Sequence, residues 1–340
     1  MGSFVRIIAE VPKETCMKAP ARALFAALSM AVAAASPVAM ADNYPSKPVR
    51  VIVPVTAGGG VDTAARLVAT HLRSELGQTF VVENKPGAGG NIGLDQLAKA
   101  PADGYTLAII PNTMTINHTL MSKLPFDTLK SFAPVVQIGT TPAVLGARAD
   151  LAPKSLKDLV AYAKSHPGKL SYAGCDTGSA LHLAGEMFKQ QADVDITHVP
   201  YKGCSDSVPN VLGGQVDLIF ITLTNIAGYL KDGRMRVYAV AADKRTPYAP
   251  ELPTGAEQGF PGFNIDIWYG MLAPAGTPRE IVAKLNGAVN AVLKKPEVQA
   301  SLATSYLTPV GGTPEQFGQK IRSDIDRYGA VIKKAGIRIE

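Results

Sequence analysis

Two hydrophobic rhythms alternate along the chain. Short β-branched runs such as VRVIVPV (residues 49–55) give way to stretches in which apolar positions return every three to four residues, as Ala65, Val68, Leu72 and Leu76 do. The first rhythm predicts buried strands and the second amphipathic helices. Read this way, strand 49–55, helix 62–76, strand 79–85, helix 91–100 and strand 105–111 follow one another. That βαβαβ order predicts a parallel sheet with right-handed crossovers. The long stretch 135–148, broken by Pro142, predicts a strand that crosses between lobes. A second alternation follows: helix 155–165, strand 170–174, helix 180–191, strand 196–201, helix 206–212, strand 216–221, helix 226–231 and strand 236–242. Ser155 is the expected cap of its helix, with Asp158 in the first turn. FNIDIWYGMLAPAG (263–276) predicts a return crossing, and helices 279–294, 296–303 and 315–335 close the chain. The expectation is an α/β protein of two lobes with a cleft between them: 42–145 with 267–340, and 146–266.

The first 41 residues do not fit this alternation. Lys13, Lys18 and Arg22 precede the apolar run LFAALSMAVAAA (24–35), and Ala39-Met40-Ala41 supplies a small-x-small site. This order predicts a secretory signal peptide cleaved after Ala41. The run falls short of the roughly 20 residues a membrane-spanning helix needs. Its basic and acidic residues leave with it, which lowers the formal charge from +6 to +4. No run of Lys and Arg remains that could track phosphates, so no nucleic-acid partner is expected. At 46% hydrophobic and 6% aromatic residues the composition is that of a globular α/β protein. Cys16 lies in the signal segment, leaving Cys175 and Cys204. In an oxidising compartment an even pair predicts a disulfide, with free buried thiols or a nucleophile as the alternatives.

Chemistry concentrates at strand ends, where open α/β sheets take their ligands. Thr56, Ala57, Gly58, Gly59 and Gly60 join the first strand to the first helix. Glycines let a ligand approach the backbone, and the first N–H groups of a helix, with the helix dipole, favour an anion. Asp62 is expected to cap this helix and point sideways, leaving the glycine amides free. Thr177, Gly178 and Ser179 repeat the arrangement and add hydroxyls; His182 lies one turn further on, and Asn112 stands at the end of the third strand. A phosphate-binding loop is excluded because Val61-Asp62 stands where Lys-Ser/Thr is required. AGGGVD is not a dinucleotide fingerprint, and PGAGGNIG is one residue too long. The five histidines show no metal spacing, and Gly174-Cys175-Asp176-Thr177-Gly178 has Asp where a nucleophile elbow needs Ser. No cofactor, metal or catalytic group is expected.

YPSKPVRVIVP, AGGGVDTAAR, ENKPGAGGNIG, ADGYTL, HLAGEMFK, HVPYKG, GGQVDLIF, LPTGAEQGFPGF and WYGMLAPAGTP stand in an order and spacing that resembles the Bug-type substrate-binding proteins of tripartite tricarboxylate transporters. The resemblance runs from about Tyr44 to the C-terminal helix. It implies a two-lobed periplasmic-binding-protein type II fold that closes, as a monomer, on a small carboxylate, either a dicarboxylate or an aromatic carboxylate. It further implies that backbone amides of 56–62 and 177–179 hold the ligand, with ordered water. Tyr201, Lys202 and the turn containing Thr222 and Asn225 match further cleft-lining segments. Cys175 and Cys204 match a disulfide found in part of the family. The chain departs from many relatives at Thr56, where Ala or Pro is usual, and at Ile221, where a polar residue is usual. The implied partner is an inner-membrane permease or a sensor protein. An exported α/β enzyme acting on a small acid is the alternative of another class.

Overall fold

The computed structural model describes residues 43–337 apart from 176 and 202. The expected signal segment and the candidate Lys202 therefore lie outside the described residues. Strand β1 (Val49–Val53) buries every side chain except Arg50. It lies between β2 (Phe80–Asn84) and β3 (Thr106–Pro111), both parallel to it. A strand with parallel neighbours on both sides is covered on both faces, which explains its unbroken apolar sequence. Helix α1 (Gly60–Leu76) buries Val61, Ala65, Val68 and Leu72 and stops at Gly77, whose positive φ of 71° lets its N–H reach the Arg73 carbonyl. Helix α2 (Asn91–Ala98) makes the second crossover. Helix α3 (Thr113–Leu120), directly after β3, was not expected from the sequence.

Strand β4 (Phe132–Arg148) is continuous through Pro142. Beyond it come α4 (Leu156–Ser165), β5 (Ser171–Ala173), α5 (Ala180–Ala192), β6 (Thr197–Val199), α6 (Ser207–Leu212), β7 (Leu218–Thr222), α7 (Leu223–Lys231) and β8 (Met235–Val240). The chain returns as β9 (Asp266–Pro274) and ends in α8 (Arg279–Leu293), α9 (Pro296–Thr304), β10 (Thr308–Gly311) and α10 (Pro314–Ala335). Ser155 and Asp158 form a reciprocal capping box on α4, as Thr313 and Gln316 do on α10.

One sheet carries the strand order β2-β1-β3-β9-β4-β7-β5-β6, with β8 and β10 also paired to β4. Strand β4 pairs with β9 as far as Pro142, opposite Asp266, and with β7 from Ala143, opposite Thr222. Proline, which has no N–H to give, thus stands where the strand changes partners. Each section has its own core. The first gathers Ile52, Ile110, Trp268, Phe317 and Ile321; the second gathers Val144, Ala173, Val211, Ile219 and Ile221.

Strand direction positions the site. β3 is antiparallel to β9, and β9 to β4, so β1, β3 and β4 run the same way. β7 is antiparallel to β4 and parallel to β5. The carboxyl ends of β1 and β3 therefore face those of β5 and β7. Pro111 stands level with Tyr269 and Gly139, and Thr222 with Ala143. Those levels are four β4 residues apart, about 13 Å at the usual rise per residue.

Candidate functional site

The turn after β1 exposes Thr56, Ala57 and Gly58 and leads into α1, whose N-cap is Gly59. Gly58 has φ +86°, a conformation open to glycine. Its N–H donates to Asp62 Oδ2 at 2.9 Å. Asp62 is only 4% exposed; it also accepts from Arg66 Nε at 3.1 Å and from Asn84 Nδ2 at 2.9 Å. Burial pulls its pKa up, but the bonds from Arg66, Gly58 and Asn84 and the Arg66 charge outweigh it and hold the carboxyl below its ordinary range. The expectation that Asp62 caps the helix needs correcting. It braces the preceding turn instead, and Gly58 is no longer a free donor. The first intrahelical bond is Thr63 N–H to the Gly59 carbonyl, so the amides of Gly60, Val61 and Asp62 have no acceptor within the helix. A Cβ on Gly60 would lie 2.5 Å from the Tyr269 hydroxyl, so β9 closes one side of the turn.

The turn after β5 repeats this plan. Gly178 has φ +83°, Ser179 caps α5, and the Ser179 hydroxyl accepts from His182 N–H at 3.2 Å. The Gly178 N–H donates to His182 Nδ1 at 3.0 Å. Leu183 N–H to the Ser179 carbonyl is the first intrahelical bond, so the amides of Ala180 and Leu181 lack one. His182 stacks on His198, with ring centroids 4.1 Å apart and planes at 20°. Burial lowers the pKa of both rings. For His182 the Lys189 charge adds to it, with Glu186 opposing; His198, with His182 as the next contributor, falls to about 4. Thr177 is exposed.

The other candidates divide. Thr222 caps α7 by position without a side-chain bond to the helix, and Asn225 is half-buried in that helix's first turn. Tyr201 packs against the second core, and so does Ile221, which is fully buried; its apolar character meets a packing requirement. Asn112, a further candidate, is engaged within the fold. It is 1% exposed, and Nδ2 donates to the Asp266 carbonyl at 3.0 Å and the Tyr328 hydroxyl at 3.2 Å. Both amide hydrogens are used, so it fastens β3 to β9 and α10. Around it, Lys320 pairs with Asp266 and Asp324, and Asp324 accepts the Trp268 N–H at 2.6 Å.

Cys175 and Cys204 form a disulfide, with Cα atoms 4.6 Å apart. It ties the second turn to the segment after Tyr201. The PGAGG segment takes positive φ at Gly87, Ala88, Gly89 and Gly90, and Asn117 Nδ2 holds the Gly89 carbonyl at 3.0 Å. A groove of about 470 Å³ lies beside it, lined by Ala88, Asn91, Asp95, Met121 and Lys123, and contains neither turn. No three His, Cys, Asp or Glu side chains gather as a metal site among the described residues. The braced turns were missed because their partners lie in pairs, Gly58 with Asp62 and Gly178 with His182. Glycine and acceptor share a four-residue spacing in both turns.

The family model described as the tripartite tricarboxylate transporter family receptor matches residues 64–337. The chain is similar to the periplasmic binding protein BugD, at 36% identity and a TM-score of 0.80, covering 87% of this chain and 100% of that one. The R. palustris protein Rpa4515, solved with adipate, is 37% identical with a TM-score of 0.82, covering 87% and 99%. MatC from Rhodopseudomonas palustris, solved with bound malate, is 33% identical with a TM-score of 0.78, covering 85% and 100%.

Proposed function

The chain belongs to the tripartite tricarboxylate transporter receptor family and has its periplasmic-binding-protein fold, and from that premise we propose that it is an exported receptor for a small dicarboxylate. Residues 1–41 direct export, and the mature protein works in the periplasm as a monomer. It captures its ligand without converting it, and passes it to an inner-membrane permease or to a sensor. Residues 42–145 with 267–340 form one lobe, 146–266 the other, and the lobes close about the β4 and β9 crossings by hinge motion.

The observation that carries this reading is the pair of facing turns. Each opens a helix, and each leaves amides without intrahelical partners at the positive end of the dipole. Two such ends suit a ligand with a carboxylate at each end. Two relatives are described with diacids of different length, adipate and malate, which fits a site that reads charge through backbone amides. The ligand contacts are the amides of Gly59, Gly60 and Val61 on one side and of Ser179 and Ala180 on the other. Thr56, Thr177, Tyr201, Thr222 and Asn225 line the space between.

The test is a thermal-shift and calorimetric screen of the purified protein against C4–C6 diacids, citrate, acidic amino acids, nicotinate, benzoate and phthalates, with NAD and ATP as controls. A ligand at a hundred times its dissociation constant adds about 2.7 kcal/mol of stability. Stabilisation by diacids, with the ligand recovered unchanged, is the expected outcome. Stabilisation by a nucleotide alone, or consumption of the acid, overturns the reading.

A further inference from the structure

His182 has two ring nitrogens that could serve the site, and only one faces the turn. Nδ1 accepts the Gly178 N–H at 3.0 Å and therefore carries no proton; in the neutral ring the proton sits on Nε2. That nitrogen points toward Glu186 Oε1, 3.9 Å away, on the same helix. The ring is 6% exposed and stacked on His198, whose own ring packs against Tyr172. Glu186 is occupied in turn by the Tyr172 hydroxyl at 2.8 Å and Lys189 Nζ at 3.0 Å. The imidazole is thus enclosed behind the turn, gripping one peptide of it.

The same grip exists in the other section. Asp62 takes the Gly58 N–H at the same four-residue spacing, and both glycines have φ near +85°. The two braces differ in charge. Asp62 carries a carboxylate that Arg66 neutralises; His182 is a neutral acceptor. Behind the second turn the Glu186 carboxylate lies beyond the imidazole, 3.9 Å from Nε2, and is paired with Lys189 rather than set against the amides.

We propose that His182 is a positioning residue: its Nδ1 lone pair fixes Gly178, which aims the following amides at the ligand, and its neutrality keeps that turn hospitable to an anion. This rests on the carboxylate-binding reading, but moves His182 from ligand contact to brace. Nδ1, and not Nε2, is the working atom.

Four substitutions in the full-length protein separate these roles, with adipate as the probe. His182→Asn keeps a neutral acceptor at the δ position, His182→Asp a charged one, His182→Gln moves it outward, and His182→Ala removes it. Losing one neutral hydrogen bond corresponds to roughly a two- to twelvefold change. The Asn variant is expected within about threefold of wild type, and Gln and Ala about tenfold weaker. The Asp variant, with its turn intact, is expected to lose the most, about a hundredfold through like-charge repulsion. Retention by Gln with loss by Asn would assign the role to Nε2 as a ligand contact and overturn the proposal. Equal affinity in all four would also overturn it. Ring ¹⁵N spectra of ligand-free wild type decide the point without a ligand: His182 should be the Nε2–H tautomer, and the Gly178 amide proton should shift upfield in Ala and Gln but not in Asn. An Nδ1–H tautomer defeats the proposal even if adipate binds. Absence of adipate binding with the Nε2–H tautomer present defeats the choice of diacid, not the brace.

Discussion

Asp62 and His182 stand in the same relation to their turns: each accepts the N–H of the glycine four residues before it, at 2.9 Å from Gly58 and 3.0 Å from Gly178. The resemblance is geometric, and the chemistry of the acceptor sets how each turn responds to pH. Asp62 has a lowered pKa, so its stabilisation is present above the unfolded carboxyl value near 3.9 and is lost as pH falls through the lower folded value. Asp62→Asn should cost about 1.5–3 kcal/mol at pH 7, the range for a hydrogen bond to a charged group. Urea denaturation should show the two proteins converging in acid, as pH falls through the folded value. An equal gap at pH 7 and in acid would show that the charge is not what braces the turn.

Gly59→Asp tests the first turn as an anion seat. Gly59 has φ −79° and ψ 171°, and a Cβ there comes no nearer than 4.0 Å to the Thr56 carbonyl. Aspartate is also a favourable N-cap. The variant should melt at or above the wild-type temperature and lose adipate binding by at least about a hundredfold, through the like charge placed at the amides. Unchanged affinity would remove this turn from the site.

The disulfide closes a separation of 29 residues. On the chain-entropy model a loop of that length contributes about 3–4 kcal/mol. Cys175→Ser should lower the melting temperature under oxidising conditions and match wild type in reductant. Because the bridge joins two cleft-side segments, affinity should fall as well. A melting loss that is the same in reductant would assign the effect to packing at Cys175.

Asn112→Ala distinguishes a brace from a ligand contact. It removes two hydrogen bonds, while the Asp266 carbonyl keeps the Tyr328 hydroxyl as donor and that hydroxyl keeps Arg327 Nη2. The expected cost is about 1–3 kcal/mol for two lost hydrogen bonds, with adipate affinity within about threefold of wild type. The single tryptophan, Trp268, reports the unfolding, since its N–H is bound to buried Asp324. Lost affinity at unchanged stability would restore Asn112 to the ligand set.

Much of the fold was legible because local chemistry and tertiary position agree. The run around Val51 reads as a buried strand, and Ser155 with Asp158 as a cap. Helix α3 was not legible: TMTINHTL is rich in Thr and Asn, which favour caps and turns. It is helical because Met114 and Ile116 are buried and Thr115 is tied back to the Asn112 carbonyl through both its N–H and hydroxyl. β10 was missed because Thr308–Gly311 contains proline and glycine; it exists by pairing on β4. The glycine turns could be read as anion seats. Their braces could not, because which amide Asp62 or His182 takes depends on a positive φ that sequence only permits. The role of Asn112 depends on partners 154 and 216 residues away.

The two cores are assembled in different ways, and this fixes an order of events during biogenesis. The buried residues of the second core lie between Val144 and Ala249, one stretch of chain, with Leu252 and Tyr306 packed at its edge. The first needs Trp268, Leu272, Phe317, Ile321 and Ile325 to cover Ile52 and Ile110. A polypeptide delivered from its N-terminus, in synthesis or in the proposed export, can therefore finish its second section first. Meanwhile β1 and β3 wait as uncovered apolar strands until nearly the last residue has arrived, and such strands are prone to aggregate. Chains stalled before residue 314 should show protease resistance in 144–249 and none in 49–111. The delay also keeps the two facing turns from coming together until the C-terminal helix has arrived.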